Sequence, residues 1–302
     1  MALRPAEMNA RATTVGNDDW GFGESDEIAP GRFVLKLLGG GRRYEAYLVH
    51  DETLLANVVV KILRPHRVTD AASLEGLAAE YHALQQLNHP VIARGFDAVL
   101  EGDRPHIVIE FLEGPRLSTL VRRHGPLPME QLVPLAVQLC SALHYMHGRR
   151  LVHLDLKPRN IIMGAPPRLI DLSIARSFES SAALKVAVGT DAYMAPEQCD
   201  PLGPYRVGPP ADVWGLGASL YEAVAGEPPF SLDDPAAYPQ LTQDPAPMDE
   251  GVPPQVEDLI MSCLQRDAAS RPSPRELSEA LEPLVAALPR RFVLNRLRPR
   301  LR

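Results

Sequence analysis

Two hydrophobic periodicities divide the chain near residue 113. Before that point the apolar residues fall in short runs rich in β-branched side chains, which predict strands. One helix interrupts them, because apolar residues between Ala71 and Leu87 recur at helical spacing. The runs that predict strands are Phe33–Leu38, Tyr44–His50, Val58–Leu63, Val91–Leu100 and Ile107–Leu112.

After Gly114 a helical pattern dominates, broken by a proline-rich stretch at residues 231–254. We therefore predict an α+β fold with a small β-rich lobe at residues 31–112 and a larger helical lobe at residues 113–288. Ligand sites are common in clefts between such lobes. The predicted helices are Met129–His147, Ala211–Ala225, Val256–Gln265 and Arg275–Ala287.

The two ends differ from this pattern. Residues 1–30 are polar and acidic without sustained periodicity, which predicts a disordered extension. Residues 289–302 form a basic tail, because six arginines and no acid follow Leu288. A solvated helix or a linker is the preferred interpretation of so short a run. Contact with an anionic membrane surface or an acidic partner is the alternative.

Charge and composition narrow the class of protein. The net charge is −7, and without the tail arginines 25 basic residues stand against 38 acidic ones, which argues against nucleic acid as the main partner. Neither a signal peptide nor an apolar run long enough to span a membrane is visible in the sequence. Three scattered cysteines predict reduced thiols and a cytoplasmic setting. An excess of Arg over Lys, 27 to 4, indicates a GC-rich, bacterial genome.

Two carboxylates, a carboxamide and an ammonium lie together within residues 153–173. They belong to Asp155, Asp171, Asn160 and Lys157. Groups of this kind hold metal-bound phosphates and orient a hydroxyl for attack. Lys157 is one of few lysines in the chain, and a compact ammonium contacts a phosphate in a way that a forked guanidinium does not reproduce. The pattern indicates a phosphotransferase.

These residues resemble the landmarks of the protein kinase family. His153–Asn160 is similar to its catalytic loop, with Leu154 where an arginine is usual. The resemblance covers about Gly31 to Leu288 and implies a bilobal, protein-kinase-like fold that uses ATP and Mg²⁺. The other landmarks are Asp171–Ser173 for the metal-binding triplet, Ala195–Glu197 for the end of the activation segment, Asp212–Gly217 and Arg271-Pro272.

The resemblance assigns the catalytic groups. Asp155 would orient the acceptor hydroxyl and accept its proton, and Lys157 would contact the γ-phosphate. Asn160 and Asp171 would hold Mg²⁺, which takes few carboxylates besides substrate phosphate oxygens. His153 is interpreted as structural.

The resemblance also assigns the nucleotide contacts. Lys61 would reach the α- and β-phosphates, held by an ion pair with Glu80. The glycine-rich loop departs from the family pattern, because Tyr44 stands at its third glycine. The nucleotide-binding residues implied are Leu38, Gly39, Gly41, Ala46, Val59, Lys61, Ile109, Glu110, Leu112 and Ile162.

Further residues are expected to support the fold. Thr190 would hydrogen-bond near Asp155 and Lys157, Glu197 would form a buried ion pair with Arg271, and the backbone of the catalytic loop would be anchored by Asp212. Leu154 removes the arginine that receives an activating phosphate in many relatives. We therefore expect activity that does not require phosphorylation of the activation segment.

The sequence is identified as a bacterial-type serine/threonine protein kinase, acting in signalling on protein substrates, with autophosphorylation as one outcome. Lys157-Pro158 is similar to the serine/threonine type. The alternative is a pseudokinase scaffold that binds nucleotide and partner proteins without turnover, which Tyr44, Leu154 and Ser173 favour. A small-molecule kinase ranks last, because such an enzyme would lack a peptide platform ending in Ala-Pro-Glu.

Overall fold

The computed structural model describes residues 18–230, 238–248 and 251–288. They form two compact units. The first comprises residues up to Glu75 together with Asp97–Val108, and the second comprises Gly76–Phe96 and the chain from Ile109 onward. The predicted α+β class is confirmed, with a β-rich first unit and a mainly helical second unit. The residues between Gly76 and Phe96, predicted within the first lobe, group with the second unit.

Six strands form one sheet in the order β1-β2-β3-β4-β6-β5. Strands β2, β3, β4 and β6 fall on the predicted runs, because alternating β-branched and polar residues fit a pleated, half-buried surface. Helix α1, Ala71–Gln86, is also confirmed. The strands are β1 Glu27–Ala29, β2 Arg32–Gly40, β3 Tyr44–Asp51, β4 Ala56–Leu63, β5 Gly95–Val99 and β6 His106–Glu110.

The predicted strand Val91–Leu100 is only partly correct. Strand β5 covers its second half, whereas Val91 to Ala93 are buried in irregular backbone. The carbonyl of Val91 accepts a hydrogen bond from Leu169 at 2.6 Å, and the N–H of Ala93 donates to Leu169 at 3.0 Å. The apolar residues therefore reflect burial against a distant segment rather than a continuous ladder.

The core of the first unit lies on one face of this sheet. Strand residues point alternately to opposite faces, so Tyr47 and Val49 on β3 share this core with Val58, Val60 and Ile62 on β4. The antiparallel register pairs Ala46 with Lys61 and Leu48 with Val59. Those four residues therefore point to the opposite face.

The prediction of disorder for residues 1–30 is wrong for residues 18–30; residues 1–17 lie outside the described ranges. Trp20 and Phe22 stack with ring centroids 5.7 Å apart and pack against the sheet core. The Trp20 indole donates to the carbonyl of Leu63 at 2.7 Å, and the Arg104 guanidinium lies over both rings. Two aromatic rings bury enough apolar surface to order an otherwise polar segment.

The second unit is built mainly from helices, and the four predicted helices are confirmed with small shifts at their ends. Helix α3 packs on α8 and helix α6 on α7. None of the helices within the described ranges is long and apolar enough to cross a membrane. The helices are α2 Leu117–His124, α3 Met129–Gly148, α4 Phe178–Ala182, α5 Pro196–Cys199, α6 Pro209–Ala225, α7 Pro254–Cys263 and α8 Pro274–Ala287.

Two short antiparallel strand pairs in the second unit enclose the candidate catalytic loop. Strand β7, Leu151–Val152, precedes the loop and pairs with β10, Arg176–Ser177. Strand β8, Ile161–Ile162, follows the loop and pairs with β9, Arg168–Leu169. Both ends of the loop are thus fixed. The predicted basic tail, residues 289–302, lies outside the described residues.

Candidate active site

The buried carboxylate of Asp212 shapes the catalytic loop. It accepts backbone N–H bonds from His153 at 2.9 Å and from Leu154 at 2.8 Å, and the Nε2 of His147 lies 3.0 Å away. Leu154 has a φ of 64°, a left-handed conformation that costs energy for a branched residue. Gln198 also holds this turn by donating to the Leu154 carbonyl at 2.8 Å. The predicted anchoring by Asp212 is confirmed.

Both carboxylate oxygens of Asp155 are held by side chains of the same unit. Lys157 Nζ donates to Oδ2 at 2.5 Å, and Thr190 Oγ1 donates to Oδ1 at 2.7 Å. Lys157 Nζ also donates to Thr190 Oγ1 at 2.5 Å, which closes a triangle. The Nδ2 of Asn160 donates to the Asp155 carbonyl at 2.9 Å and to Oδ2 at 3.0 Å. The predicted contact of Thr190 with Asp155 and Lys157 is confirmed.

This arrangement orients one partly buried carboxylate. The side chains of Asp155 and Lys157 are only 10% and 14% exposed, so their charges interact in a medium less polar than water. His153 is fully buried, and its Nδ1 accepts the N–H of Asp155 at 3.2 Å. That contact agrees with a structural role for His153. A fixed carboxylate beside an ammonium is suited to orienting a hydroxyl and taking its proton.

Asn160 and Asp171 fit the chemistry of a magnesium site. The Nδ2 of Asn160 donates to Asp155. The side-chain oxygen of Asn160 is its other polar atom, and Mg²⁺ prefers oxygen ligands. Its backbone carbonyl accepts the N–H of Ile170 at 2.9 Å, which ties Asn160 to the residue before Asp171. Asp171 has a φ of 67°, a conformation that aspartate tolerates better than most residues.

Few protein ligands are expected here. In the described ranges no three His, Cys, Asp or Glu side chains gather into a metal-binding group. One amide and one carboxylate match the small number of protein ligands that Mg²⁺ takes when phosphate oxygens and water complete its shell.

The segment from Glu110 to Arg116 lies against strand β8 in the second unit. Gly114 has a φ of 132°, and a Cβ there would lie 2.2 Å from the Met163 carbonyl. The Met163 N–H donates to the carbonyl of Pro115 at 2.8 Å, and Ile162 lies next to Gly114. Ile162 is therefore close to the segment that carries the predicted nucleotide contacts Glu110 and Leu112.

The side chain of Glu110 is held by two arginines. The sequence did not indicate these contacts. Arg94 contacts both carboxylate oxygens at 3.2 and 3.3 Å, and the half-buried Arg168 forms a further ion pair with Oε2. The backbone N–H of Glu110 donates to the Arg94 carbonyl at 2.9 Å. Because that N–H is engaged, the carbonyl is the backbone group of Glu110 that suits contact with a ligand. Ile109, which precedes it, is half-buried.

In the first unit the glycine-rich loop joins β2 to β3. Gly39 has a φ of 140°, and a Cβ at Gly40 would lie 2.7 Å from the Tyr44 carbonyl. That carbonyl accepts the N–H of Gly41 at 2.9 Å. Gly39 and Gly41 are the predicted nucleotide-binding glycines, whereas the glycine at which the backbone approaches most closely is Gly40. Within the described part of the chain, nothing beyond its two chain neighbours lies within 4 Å of a Cβ at Gly41.

Tyr44 places its ring near the predicted phosphate-binding lysine. The Nζ of Lys61 lies 4.7 Å from the ring centroid, within the range of a cation–π contact. Ala46 and Val59 share the face of the sheet that carries Lys61, and Leu38 on β2 is 41% exposed.

Lys61 and Glu80 belong to different units. Lys61 lies on β4 in the first unit, and Glu80 lies on α1, in the part that groups with the second unit, where it is 1% exposed. Their ion pair stays a prediction.

The predicted ion pair between Glu197 and Arg271 is confirmed. The guanidinium nitrogens of Arg271 donate to the two carboxylate oxygens at 2.7 and 2.8 Å, and both side chains are fully buried. Arg271 also lies over the ring of Trp214 and donates to the Pro210 carbonyl. Such two-pronged geometry satisfies a buried pair. It fixes the segment that follows Thr190.

Comparison with known proteins gives the same family that the sequence motifs resemble. The protein kinase domain family matches residues 33–281. Serine/threonine-protein kinase PknB of Mycobacterium leprae is 31% identical over 249 residues, which is 78% of this chain and 40% of that protein. Serine/threonine-protein kinase pkn2 of Myxococcus xanthus is 33% identical over 282 residues, 86% of this chain and 33% of that protein. The chain thus spans between a third and two fifths of the length of these relatives.

Proposed function

Because the chain belongs to the protein kinase domain family, we propose that it is an ATP-dependent serine/threonine protein kinase. It transfers the γ-phosphate of ATP to a serine or threonine hydroxyl of a protein. The observation that carries the proposal is the Asp155 carboxylate, whose two oxygens are held by Lys157, Asn160 and Thr190. The names of the bacterial relatives support the serine/threonine class.

The residues of the second unit carry the chemistry. Asp155 orients the acceptor hydroxyl for in-line attack and takes its proton. Lys157 balances negative charge that develops on the transferred group, and its contact with Asp155 keeps the two charges adjacent. Thr190 fixes the geometry of both. Positioning of this kind, together with electrostatic stabilisation, supplies most of the rate enhancement in phosphoryl transfer.

Magnesium nucleotide, when bound, supplies the phosphoryl group and neutralises its charge. Asn160 and Asp171 would hold the metal. Lys61 and the backbone of residues 39–41 would hold phosphate oxygens, since glycines allow N–H groups to approach them. The carbonyl of Glu110 and the backbone of Leu112 would contact the adenine edge, with Ile162, Ala46 and Val59 against the base.

The three cysteines support a reducing, cytoplasmic setting for the protein. Cys140, Cys199 and Cys263 are free and buried, and burial raises the pKa of Cys140 to about 12, as expected of inert reduced thiols in a cytoplasmic protein. Proteins are the proposed substrates. Contact of the arginine-rich tail with an anionic surface remains a proposal that rests on its sequence alone.

Transfer of radiolabelled phosphate from ATP tests this function. The native protein is compared with Asp155→Asn, using a mixture of proteins as acceptors. We expect Asp155→Asn to lower the rate by about a hundredfold or more, because it removes the proton acceptor. Asp258→Asn, a matched change at an exposed position of α7, should leave it unchanged. Equal labelling by native protein and Asp155→Asn, or no labelling at all, would overturn the proposal.

A further inference from the structure

The side chain of Arg64 joins the glycine-rich loop to the segment of residues 18–22, all within the first unit. Arg64 directly follows β4. Its Nε donates to the carbonyl of Gly41 at 2.7 Å, and its Nη1 donates to the carbonyl of Asp18 at 2.8 Å. Its backbone N–H donates to the carbonyl of Arg43 at 2.9 Å. One arginine therefore connects the loop to a distant part of the chain.

A buried carboxylate holds this arginine in place. The Nη1 of Arg64 also donates to Oε1 of Glu45 at 2.9 Å, and the Glu45 side chain is only 3% exposed. The other carboxylate oxygen of Glu45 accepts the Tyr47 hydroxyl at 2.6 Å and the backbone N–H of Trp20 at 3.3 Å. Hydrogen bonds to a charged group are among the stronger ones in proteins. Because both oxygens are engaged, the carboxylate and the guanidinium have a defined orientation.

The bond to Gly41 fixes one peptide plane of the loop. A peptide unit is planar, so the direction of the Gly41 carbonyl also sets the direction of the N–H of Arg42. Glycine by itself leaves the backbone free to adopt many conformations. Arg64 therefore supplies a constraint on the loop that its glycines do not.

The segment of residues 18–22 is itself anchored to the sheet. The Trp20 indole donates to the carbonyl of Leu63, the last residue of β4, and the rings of Trp20 and Phe22 pack on the sheet core. The match to the protein kinase family begins at residue 33. A segment that precedes the matched residues thus contacts the glycine-rich loop through Arg64.

We propose that Arg64 and Glu45 are positioning residues for the nucleotide. With the segment of residues 18–22 docked, they hold the glycine-rich loop in the conformation that binds the phosphates of Mg-ATP. This inference rests on the proposed kinase function and adds two residues and one segment to its nucleotide-binding machinery. A loop that is ordered before binding loses less entropy on binding, which strengthens affinity. Both residues act through the loop backbone and take no part in the chemical step.

The coupling acts in both directions. If the docked segment strengthens nucleotide binding, bound nucleotide must strengthen docking of the segment by the same factor. The segment lies on the face of the sheet opposite Lys61. Nucleotide binding should therefore be detectable on the far side of the sheet.

Calorimetric binding of a non-hydrolysable ATP analogue with Mg²⁺ tests the positioning role. The variants are Arg64→Met, Glu45→Gln, Trp20→Ala and the double variant Trp20→Ala/Arg64→Met. Arg32→Met is the matched control, because it makes the same substitution in the same sheet. Arg32 pairs with the buried Asp51 at 2.8 Å and is the first residue of β2, whereas the loop follows the last. Thermal melting verifies that each variant is folded.

We expect Arg64→Met to weaken binding about tenfold, as loss of one hydrogen bond to a charged group allows. Glu45→Gln keeps an acceptor oxygen and should weaken binding less than Arg64→Met. Trp20→Ala should weaken it about threefold, and the double variant should match Arg64→Met, because both changes interrupt one connection. Arg32→Met should lower the melting temperature and retain the native affinity.

Hydrogen exchange gives a second readout, which a purely structural role would not change. Added nucleotide should slow exchange of the backbone N–H of Trp20 in native protein, since that N–H bonds to Glu45. The slowing should disappear in Arg64→Met and persist in Arg32→Met.

Three results would overturn the inference. The first is equal nucleotide affinity of native protein and Arg64→Met. The second is an equal loss of affinity in Arg64→Met and Arg32→Met, which would trace the effect to the stability of the sheet. The third is the same slowing of exchange in Arg64→Met as in native protein. Native protein that binds no Mg nucleotide would instead count against the kinase function itself.

Discussion

Thr190 is the residue that joins the two charged groups of the site. Its hydroxyl accepts from Lys157 and donates to Asp155, so it fixes the distance between them. We expect Thr190→Val to lower kcat by about tenfold to a hundredfold with little change in the KM for ATP, because misplacement of a reacting group costs this much. Thr190→Ser keeps the hydroxyl and should retain most activity. Equal loss in both variants would contradict this role.

Residues with fixed spacing to a motif could be predicted from the sequence. Asp155, Lys157 and Asn160 lie in one short segment, and the partners Asp212 and Arg271 each belong to a motif of their own. Gly40, Arg94 and Arg168 could not be predicted. Their roles depend on which distant backbone or side chain folding brings next to them, and a hydrophobic pattern carries no such information.

An ion pair between β2 and β3 ties pH to the stability of the first unit. Burial raises the pKa of Asp51, but hydrogen bonds from Arg32 and from the N–H groups of Leu54 and Thr53 outweigh it. The pKa of Asp51 therefore lies below its ordinary value of 3.8. The unfolded chain binds a proton at higher pH than the folded one, so this stabilisation is present above that value and is lost as pH falls.

Asp51→Asn tests this pair. The variant should lose about 1.5–3 kcal/mol of unfolding free energy near neutral pH, as expected for hydrogen bonds to a charged group. Its stability should also fall less steeply than that of native protein as the solution is acidified. Urea unfolding at several pH values measures both. Parallel curves for the two proteins would show that Asp51 does not contribute in this way.

Gly114 allows the segment after β6 to lie against β8. An alanine there would combine a positive φ with a Cβ 2.2 Å from the Met163 carbonyl, so the segment must move. We expect Gly114→Ala to raise the KM for ATP several-fold and to lower the melting temperature. Gly148→Ala is the control, because among the described residues nothing outside the adjacent backbone of its own helix lies within 4 Å of a Cβ at Gly148. An unchanged KM in Gly114→Ala would separate this segment from nucleotide binding.

Among the helices and strands, hydrophobic periodicity predicted those that are long enough to show a regular pattern of buried residues. The long amphipathic helix α3 and the alternating strands β3 and β4 were predicted closely, because burial on one face leaves a regular pattern. Helices α2 and α4 span only Leu117–His124 and Phe178–Ala182, too few turns to leave such a pattern.

The segment of residues 18–30 is ordered because it packs against the sheet of the first unit. Trp20 and Phe22 close the face of the sheet opposite Lys61, and Arg104 covers them from outside. The match to the protein kinase family begins only at residue 33, so this cover lies beyond the family's shared core. Its acidic, aperiodic sequence gave no sign of it.

Removal of Trp20 or Phe22 from the sheet should lower the stability of the first unit. We expect Trp20→Ala and Phe22→Ala each to cost about 1.5–3 kcal/mol of unfolding free energy, since each exposes part of the sheet core. A chain that begins at Gly31 should lose at least as much. Trp20→Phe keeps the stacking and should lose less than Trp20→Ala. If Trp20→Ala, Phe22→Ala and the shortened chain all unfolded at the same denaturant concentration as native protein, the segment would not support the fold.

The central claim is that Asp155 directs transfer of phosphate to a serine or threonine hydroxyl. The most direct measurement is mass-spectrometric mapping of phosphate after native protein or Asp155→Asn is incubated with Mg-ATP and peptides bearing serine, threonine or tyrosine. The account predicts phosphoserine or phosphothreonine with native protein and almost none with Asp155→Asn. Phosphotyrosine alone, or the same phosphate with both proteins, would contradict it.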